Sequence, residues 1–348
     1  MRKTSTRTWT AVGALAGGAL AATWANRAVI RHRRRLDLRA KSVLITGGSR
    51  GLGILLARRF LDSGANVTIC ARTTADLSRA QAELRARAPG RVMSVVHDVT
   101  TGSADADRLV ERVVEAFGSI EILVNNAAVM TVGPMETMTE ADYRQAMDKT
   151  FWGAFHLVHA ALPHMKERGR GGRIVNIASI GGKIAVPHLL PYSASKFALV
   201  GFSQGLRAEL LKDRIYVTTV CPGLITTGSP TRARFKGQNE KEYAWFAAGD
   251  AMPGIAFNPD RLARQVVTAA RHGDAELHYP LLTALQVKAH ALAPALLSDL
   301  FGLANEHLLP RAGGIGAASA SGQASDRLEP AFTKSINRAA GEKNNERV

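Results

Sequence analysis

Tyr192 and Lys196 stand four residues apart in Tyr192-Ser193-Ala194-Ser195-Lys196, and on a helix that spacing puts both side chains on one face about one turn apart. A tyrosine titrates near pH 10 and is a poor proton carrier at neutral pH, but an ammonium beside it favours the phenolate and brings the hydroxyl into a usable range. The same pair also occurs on protein surfaces with no chemistry attached. Ser179 separates the two readings: it lies thirteen residues upstream, at the end of the apolar run Ile174-Val175-Asn176-Ile177-Ala178. A hydroxyl at a strand's carboxyl end and a tyrosine at a helix start would meet at the sheet edge where open α/β folds bind ligands.

A second group of residues suits a phosphate. Thr46-Gly47-Gly48-Ser49-Arg50-Gly51-Leu52-Gly53 joins the apolar Ser42–Thr46 to the helical Ile54–Phe60. A glycine-rich turn there brings backbone N–H groups and a helix N-terminus up to a pyrophosphate, where any Cβ would obstruct close approach. A glycine cluster alone serves equally well as a packing turn; its position after a strand and before a helix, in the first βα unit, favours the dinucleotide reading.

These groups need elements to hold them, and the text after Lys41 supplies an alternation. Strands are predicted at Ser42–Thr46, Asn66–Ala71, Val92–His97, Ile120–Val124, Arg173–Ala178, Ile215–Val220 and Glu276–Tyr279, with helices around Gly51–Ser63, Thr74–Ala88, Ser103–Phe117, Glu140–Arg168, Tyr192–Lys212 and Pro259–Arg271. About seven strands alternating with helices give an α/β fold, a doubly wound parallel sheet of Rossmann type over residues 37–280. Near-continuous apolar strands suit burial on both faces. Cys70 and Cys221 each end an apolar run and read as buried strand residues, with no disulfide framework or metal site.

The spacing Gly47, Gly51, Gly53, with Ser179, Tyr192 and Lys196, resembles the short-chain dehydrogenase/reductase family over about residues 41–280. Asn125-Asn126-Ala127-Ala128 resembles its N-N-A-G segment, with alanine in the glycine position. Asp98-Val99 resembles the pair that contacts adenine, and Pro222-Gly223 with Thr227 resembles the turn that holds the carboxamide of nicotinamide. The resemblance implies that the dinucleotide is held by Thr46, Gly47, Ser49, Arg50, Gly51, Leu52, Gly53, Arg72, Asp98, Val99, Asn125, Ala127, Tyr192, Lys196, Pro222, Gly223 and Thr227. It also implies that Tyr192 exchanges a proton with the substrate oxygen, that Ser179 hydrogen-bonds that oxygen, and that Lys196 lowers the tyrosine's pKa while binding the ribose. Strand two ends in Cys70-Ala71-Arg72-Thr73, without the acid that holds a ribose 2′-hydroxyl, and Arg72 with Arg50 suits a 2′-phosphate, so the expected cofactor is NADP(H). One departure stands out: three residues before Gly153 the family has an asparagine supporting a proton relay, and this chain has Thr150. Hydride transfer on an apolar carbonyl or alcohol is the reading adopted; the alternative is an NADP(H)-binding sensor or scaffold protein with weakened turnover.

The formal charge of +16 points toward nucleic acid until its distribution is read. Residues 1–41 hold ten of the Lys and Arg against Asp37 alone, so the excess belongs mainly to the leader and no nucleic-acid partner is expected. From Trp9 to Ala25 the chain is uncharged, and as a helix it would span roughly 25 Å, short of the roughly 30 Å hydrocarbon core. A membrane anchor, a cleaved signal peptide and a surface-lying leader all remain open for residues 1–36. The block Arg31-His32-Arg33-Arg34-Arg35 favours an anchor with the catalytic domain facing the cytoplasm. The segment from Leu224 to Ala256 has no strand pattern and carries Arg232, Arg234, Phe235, Lys236, Tyr243, Trp245 and Phe246, in the place of a substrate lid. Residues 281–348 read as a helical extension whose leucines, Leu285 to Leu303, suit core packing or a homo-oligomer contact. A flexible linker over Gly313–Ser325 and a polar tail are expected to follow.

Overall fold

The computed structural model describes Asn26, residues 28–167, Gly169, and residues 171–252 and 256–346. The expected anchor over Trp9–Ala25 lies outside the described residues.

The chain alternates β1 (Ser42–Thr46), α1 (Gly51–Asp62), β2 (Asn66–Ala71), α2 (Thr74–Arg87), β3 (Val92–Val96), α3 (Ser103–Phe117), β4 (Ile122–Asn125) and a short β5 (Thr131–Val132). Then follow α4 (Glu140–Met147), α5 (Gly153–Glu167), β6 (Gly172–Ile177), α6 (Leu190–Leu210), β7 (Ile215–Pro222), a short β8 (Arg234–Phe235), α7 (Asn239–Ala251), α8 (Pro259–His272) and β9 (Glu276–Tyr279). The last elements are α9 (Leu281–Leu292), α10 (Pro294–His307), β10 (Ala320–Ser321) and α11 (Ala331–Lys343).

Seven strands form one sheet in the order β3-β2-β1-β4-β6-β7-β9, every neighbouring pair parallel. Strands this apolar must be covered on both faces. One face carries Leu55 and Phe60 of α1 with Leu262 and Val266 of α8; the other carries Leu109 and Val113 of α3 with Leu157 and Met165 of α5. The strand order reverses at β1, whose neighbours are β2 and β4, and that reversal opens a crevice at the strands' carboxyl ends.

Three expectations need correction. The helix expected over Glu140–Arg168 is interrupted by a π-helical turn at Asp148–Trp152, which splits it into α4 and α5. Gly153 follows this turn at a close approach to the preceding loop, where a Cβ would sit 2.9 Å from the Cβ of Val99. The stretch after Leu224 contains α7, whose buried Tyr243, Phe246, Ala247 and Asp250 pack under later chain. The run read as a flexible linker is docked: β10 pairs antiparallel with β8, which pairs with β5 in a second, three-stranded sheet. Beyond it Glu329 accepts hydrogen bonds from Tyr243 Oη at 3.2 Å and Asn337 Nδ2 at 2.8 Å, tying α11 to α7.

Candidate active site

The crevice is a cleft of about 880 Å³ running from the glycine-rich turn to α7, α9 and α10. Its cofactor end is built by β1 and β4. Thr46 turns its hydroxyl inward, and Oγ1 accepts the N–H of Asn126 at 2.9 Å and of Ala127 at 3.0 Å. Asn126 in turn donates from Nδ2 to the carbonyls of Thr46 at 3.0 Å and Gly47 at 3.3 Å. Gly47 and Gly51 adopt φ of +61° and +55°, the left-handed region that favours glycine. At Gly53 a Cβ would meet the Gly47 carbonyl oxygen at 2.1 Å, so the turn closes only without side chains. The result is a backbone cradle at the start of α1, which fits the pyrophosphate of a dinucleotide.

Gly47, Ser49, Arg50, Gly51, Leu52, Arg72, Asp98, Val99 and Ala127 line this end of the cleft. Thr46 and Gly53 stand behind its wall and shape it. Asn125 departs from its expected place: it is buried, and its Nδ2 donates to Asn176 Oδ1 at 2.9 Å, in a chain that continues through Ser203 of α6 to Thr219 of β7. Strand alternation explains this, since adjacent side chains leave β4 on opposite sides, and Asn126 is the neighbour that reaches the cleft. Arg72 is half-exposed 3.8 Å from Asp98, whose Oδ1 also accepts the N–H of Thr100 at 3.1 Å. Lys149 joins the cations on this wall, its pKa lowered by burial and then by Arg72.

Ser179, Tyr192 and Lys196 share the middle of the cleft with Pro222, Gly223 and Thr227. Ser179 ends the β6 segment, and its Oγ accepts the Gly181 N–H at 3.0 Å. Lys196 is buried; its Nζ donates to the Ile177 carbonyl at 2.7 Å and lies 5.5 Å from the centre of the Tyr192 ring. Burial lowers the Lys196 ammonium to about 8. Burial also pushes the Tyr192 phenol above its usual value, against a hydrogen bond with Ser179 that lowers it. Burial thus sets the direction of the phenol's shift, and Lys196 Nζ is directed at the Ile177 carbonyl. Thr150 lies in the π-helical turn, buried, with Oγ1 lacking a hydrogen-bond partner among the described residues, and it does not line the cleft.

At the far end the aromatics divide. Phe235, Tyr243 and Phe246 pack on one another at 5.2 and 6.0 Å between ring centres, while Trp245 and Phe246 also face the cleft. Trp245 is fixed by Nε1 donating to Glu242 at 2.7 Å, and Glu242 is held by buried His188 at 2.8 Å. Asp250, which sequence reasoning did not single out, lines the cleft while buried; its Oδ2 has no hydrogen-bond partner among the described residues, and desolvation pushes its pKa up to about 8. Glu346 also lines the cleft, at the glycine-rich turn. No spacing in the sequence links that distal tail to a turn near the other end of the chain. Burial pushes the Cys70 and Cys221 thiols up to about 12, so neither is a nucleophile. No cluster of metal-ligating side chains occurs among the described residues.

Comparison with known proteins agrees with this geometry. The family model described as short chain dehydrogenase matches residues 41–236. A dehydrogenase/reductase SDR family protein 7-like of Anopheles gambiae is 39% identical over 56% of this chain, which spans 62% of that relative's length. The ketoacyl reductase HetN of Nostoc is 32% identical over 69% of this chain and 78% of its own. Among solved structures, an actinorhodin polyketide ketoreductase with NADPH superposes with a TM-score of 0.60 at 30% identity, over 69% of this chain and 95% of that one.

Proposed function

The chain belongs to the short-chain dehydrogenase/reductase family of oxidoreductases, and on that premise we propose that it is an NADPH-dependent reductase of an apolar ketone or aldehyde. The carrying observation is the single cleft in which a side-chain-free phosphate cradle, Ser179, Tyr192 and Lys196 follow one another, with Trp245 and Phe246 beyond them. A bound nicotinamide dinucleotide supplies the hydride. The chain's own residues do the rest. Gly47, Gly51 and Leu52 hold the pyrophosphate by backbone, and Pro222, Gly223 and Thr227 hold the carboxamide. Ser179 Oγ orients the substrate oxygen, and the Tyr192 phenol gives it a proton. A phenol kept protonated by burial is the form a reductive step needs. Lys196 keeps positive charge beside the phenol and stabilises the phenolate left behind.

The choice of NADPH rests on charge. β2 ends at Ala71 and Arg72 without an acid, and Arg50, Arg72 and Lys149 all face the cofactor end. Oxidation of NADPH and NADH against ketones and 3-oxoacyl compounds, with the parent chain and Arg72→Asp, tests this reading. NADPH is expected to be preferred by the parent and to lose at least about tenfold in kcat/KM with Arg72→Asp; an unchanged preference assigns the selection elsewhere. The uncharged Trp9–Ala25 segment followed by Arg31–Arg35 further supports a membrane-anchored enzyme facing the cytoplasm.

A further inference from the structure

The turn built for a phosphate already holds a carboxyl side chain of the protein itself. After α11 the chain runs along the glycine-rich turn. The Asn344 carbonyl accepts the Gly51 N–H at 2.8 Å, Asn344 Nδ2 donates to the Thr227 carbonyl at 3.2 Å, and Asn345 Nδ2 donates to the Ser49 carbonyl at 2.6 Å. Glu346 then turns its carboxyl into the cleft, 3.5 Å from Arg50 Nε. It lies so close to Gly51 that a Cβ there would meet its Oε1 at 2.7 Å. We infer that Asn344–Glu346 is an internal competitor of the dinucleotide, occupying the seat of its phosphates and leaving when the cofactor binds.

The inference rests on the nicotinamide-dinucleotide reading above and adds what governs access to that site. Three observations favour exchange over a permanent seat. The Gly51 N–H belongs to the N-terminus of α1, where a phosphate would be held, and it is spent on Asn344. The tail is incompletely satisfied: Asn344 Oδ1 is buried without a hydrogen-bond partner among the described residues, and Glu346 Oε2 has the 3.5 Å ion pair with Arg50 but no hydrogen bond there, a state that costs free energy. The helix that carries it is anchored separately through Asn337, Glu329 and Tyr243, so the last residues can leave without undoing α11.

Charge adds a pH dependence. Arg50 from the turn, Asp76 from α2 and Arg232 from the segment after β7 act on Glu346, while Arg79 of α2 pairs with Asp76 and donates to Asn345 Oδ1 at 3.3 Å, and Lys343 on its own helix acts on Asp260. Burial outweighs the arginines and pushes the carboxyl from 4.5 up to about 7. Because the seated form has the raised pKa, seating is favoured at low pH and weakens as pH rises through about 7.

The test compares binding of NADPH and NADH, read by nucleotide fluorescence, to the full chain and to a chain ended after Lys343. If the open form is about one molecule in five, the full chain's Kd is about fivefold weaker than the shortened chain's. That ratio is expected to shrink from about pH 6 to about pH 8, and Glu346→Gln, which cannot ionise, should make it level. Asn345→Ala, which leaves the chain length intact, should tighten binding in the same direction and stands in if the shortened chain does not fold. Equal or weaker binding by the shortened chain and by Asn345→Ala overturns the competitor and leaves the cofactor reading standing. Failure of every chain to bind either dinucleotide overturns the cofactor reading and the competitor with it.

Discussion

Asp250 carries a carboxyl with an unsatisfied oxygen at the substrate end of the cleft, and its chemistry is measurable before any substrate is known. Folding raises its pKa from 3.8 to about 8, so its contribution to stability is full below about pH 4 and is lost as pH rises through about 8. Asp250→Asn keeps the shape and does not ionise. Its stability advantage over the parent is expected to grow across that window, by on the order of a few kcal/mol in unfolding free energy from denaturant titrations; a constant gap contradicts this. Lys196 sets a second pH dependence, because its ammonium, lowered to about 8, loses charge above that value. Reductive kcat/KM should be level below about pH 8 and fall about tenfold per unit above it, and a value still rising there would assign the proton to another group. Thr150, which stands where the family has an asparagine, is shut away from the cleft. Thr150→Asn is therefore expected to leave kcat within about threefold while costing about 1–3 kcal/mol of stability by burying an amide without hydrogen-bond partners. A large gain in kcat would restore the relay to importance.

Elements decide how much of this was legible in the sequence. The seven strands and their order of residues were readable because each is a short apolar run bounded by turn residues, and the glycine turn because its spacing is local. Gly53 shows why that spacing is strict: Gly53→Ala places a methyl against the Gly47 carbonyl. This variant is expected to lose about 2 kcal/mol or more and to bind dinucleotide at least about tenfold more weakly, by thermal melting and titration; a variant that melts and binds like the parent would show the turn to be slack. Asn125 was misplaced because strand alternation and the bend after β4 exchange the roles of two identical neighbours. The break between α4 and α5 was illegible because a π-helical turn leaves no proline or glycine pair to mark it. α7 lacked an amphipathic stripe, since later chain covers the side that would otherwise be polar. The seat of Glu346 depends on contacts separated by nearly the whole chain, which no local pattern encodes.

At the scale of the molecule, the basic stretch after the leader is tied to the sheet's amino-terminal side. Arg31 pairs with Asp274 at 2.8 Å, and Arg34 and Arg173 lie over the Tyr216 ring at 4.9 and 4.6 Å. The leucines of α9 and α10 do not join the core as one expectation had it: they are exposed, Leu292 at 88% and Leu281 at 76%. Among the described residues no single helix is long and apolar enough to cross a membrane, though these two, bent by 110°, are apolar enough together. In liposome flotation the full chain is expected to rise with lipid and a chain beginning at Asn26 to remain below. Flotation of the shorter chain would move the membrane contact to α9 and α10. If proton and hydride pass through this one cleft, single-turnover oxidation of bound NADPH by an apolar ketone should depend on Tyr192, which the parent and Tyr192→Phe compare. Tyr192→Phe is expected to bind NADPH within about tenfold of the parent and to lose at least about a thousandfold in rate. Turnover within about tenfold of the parent would contradict this.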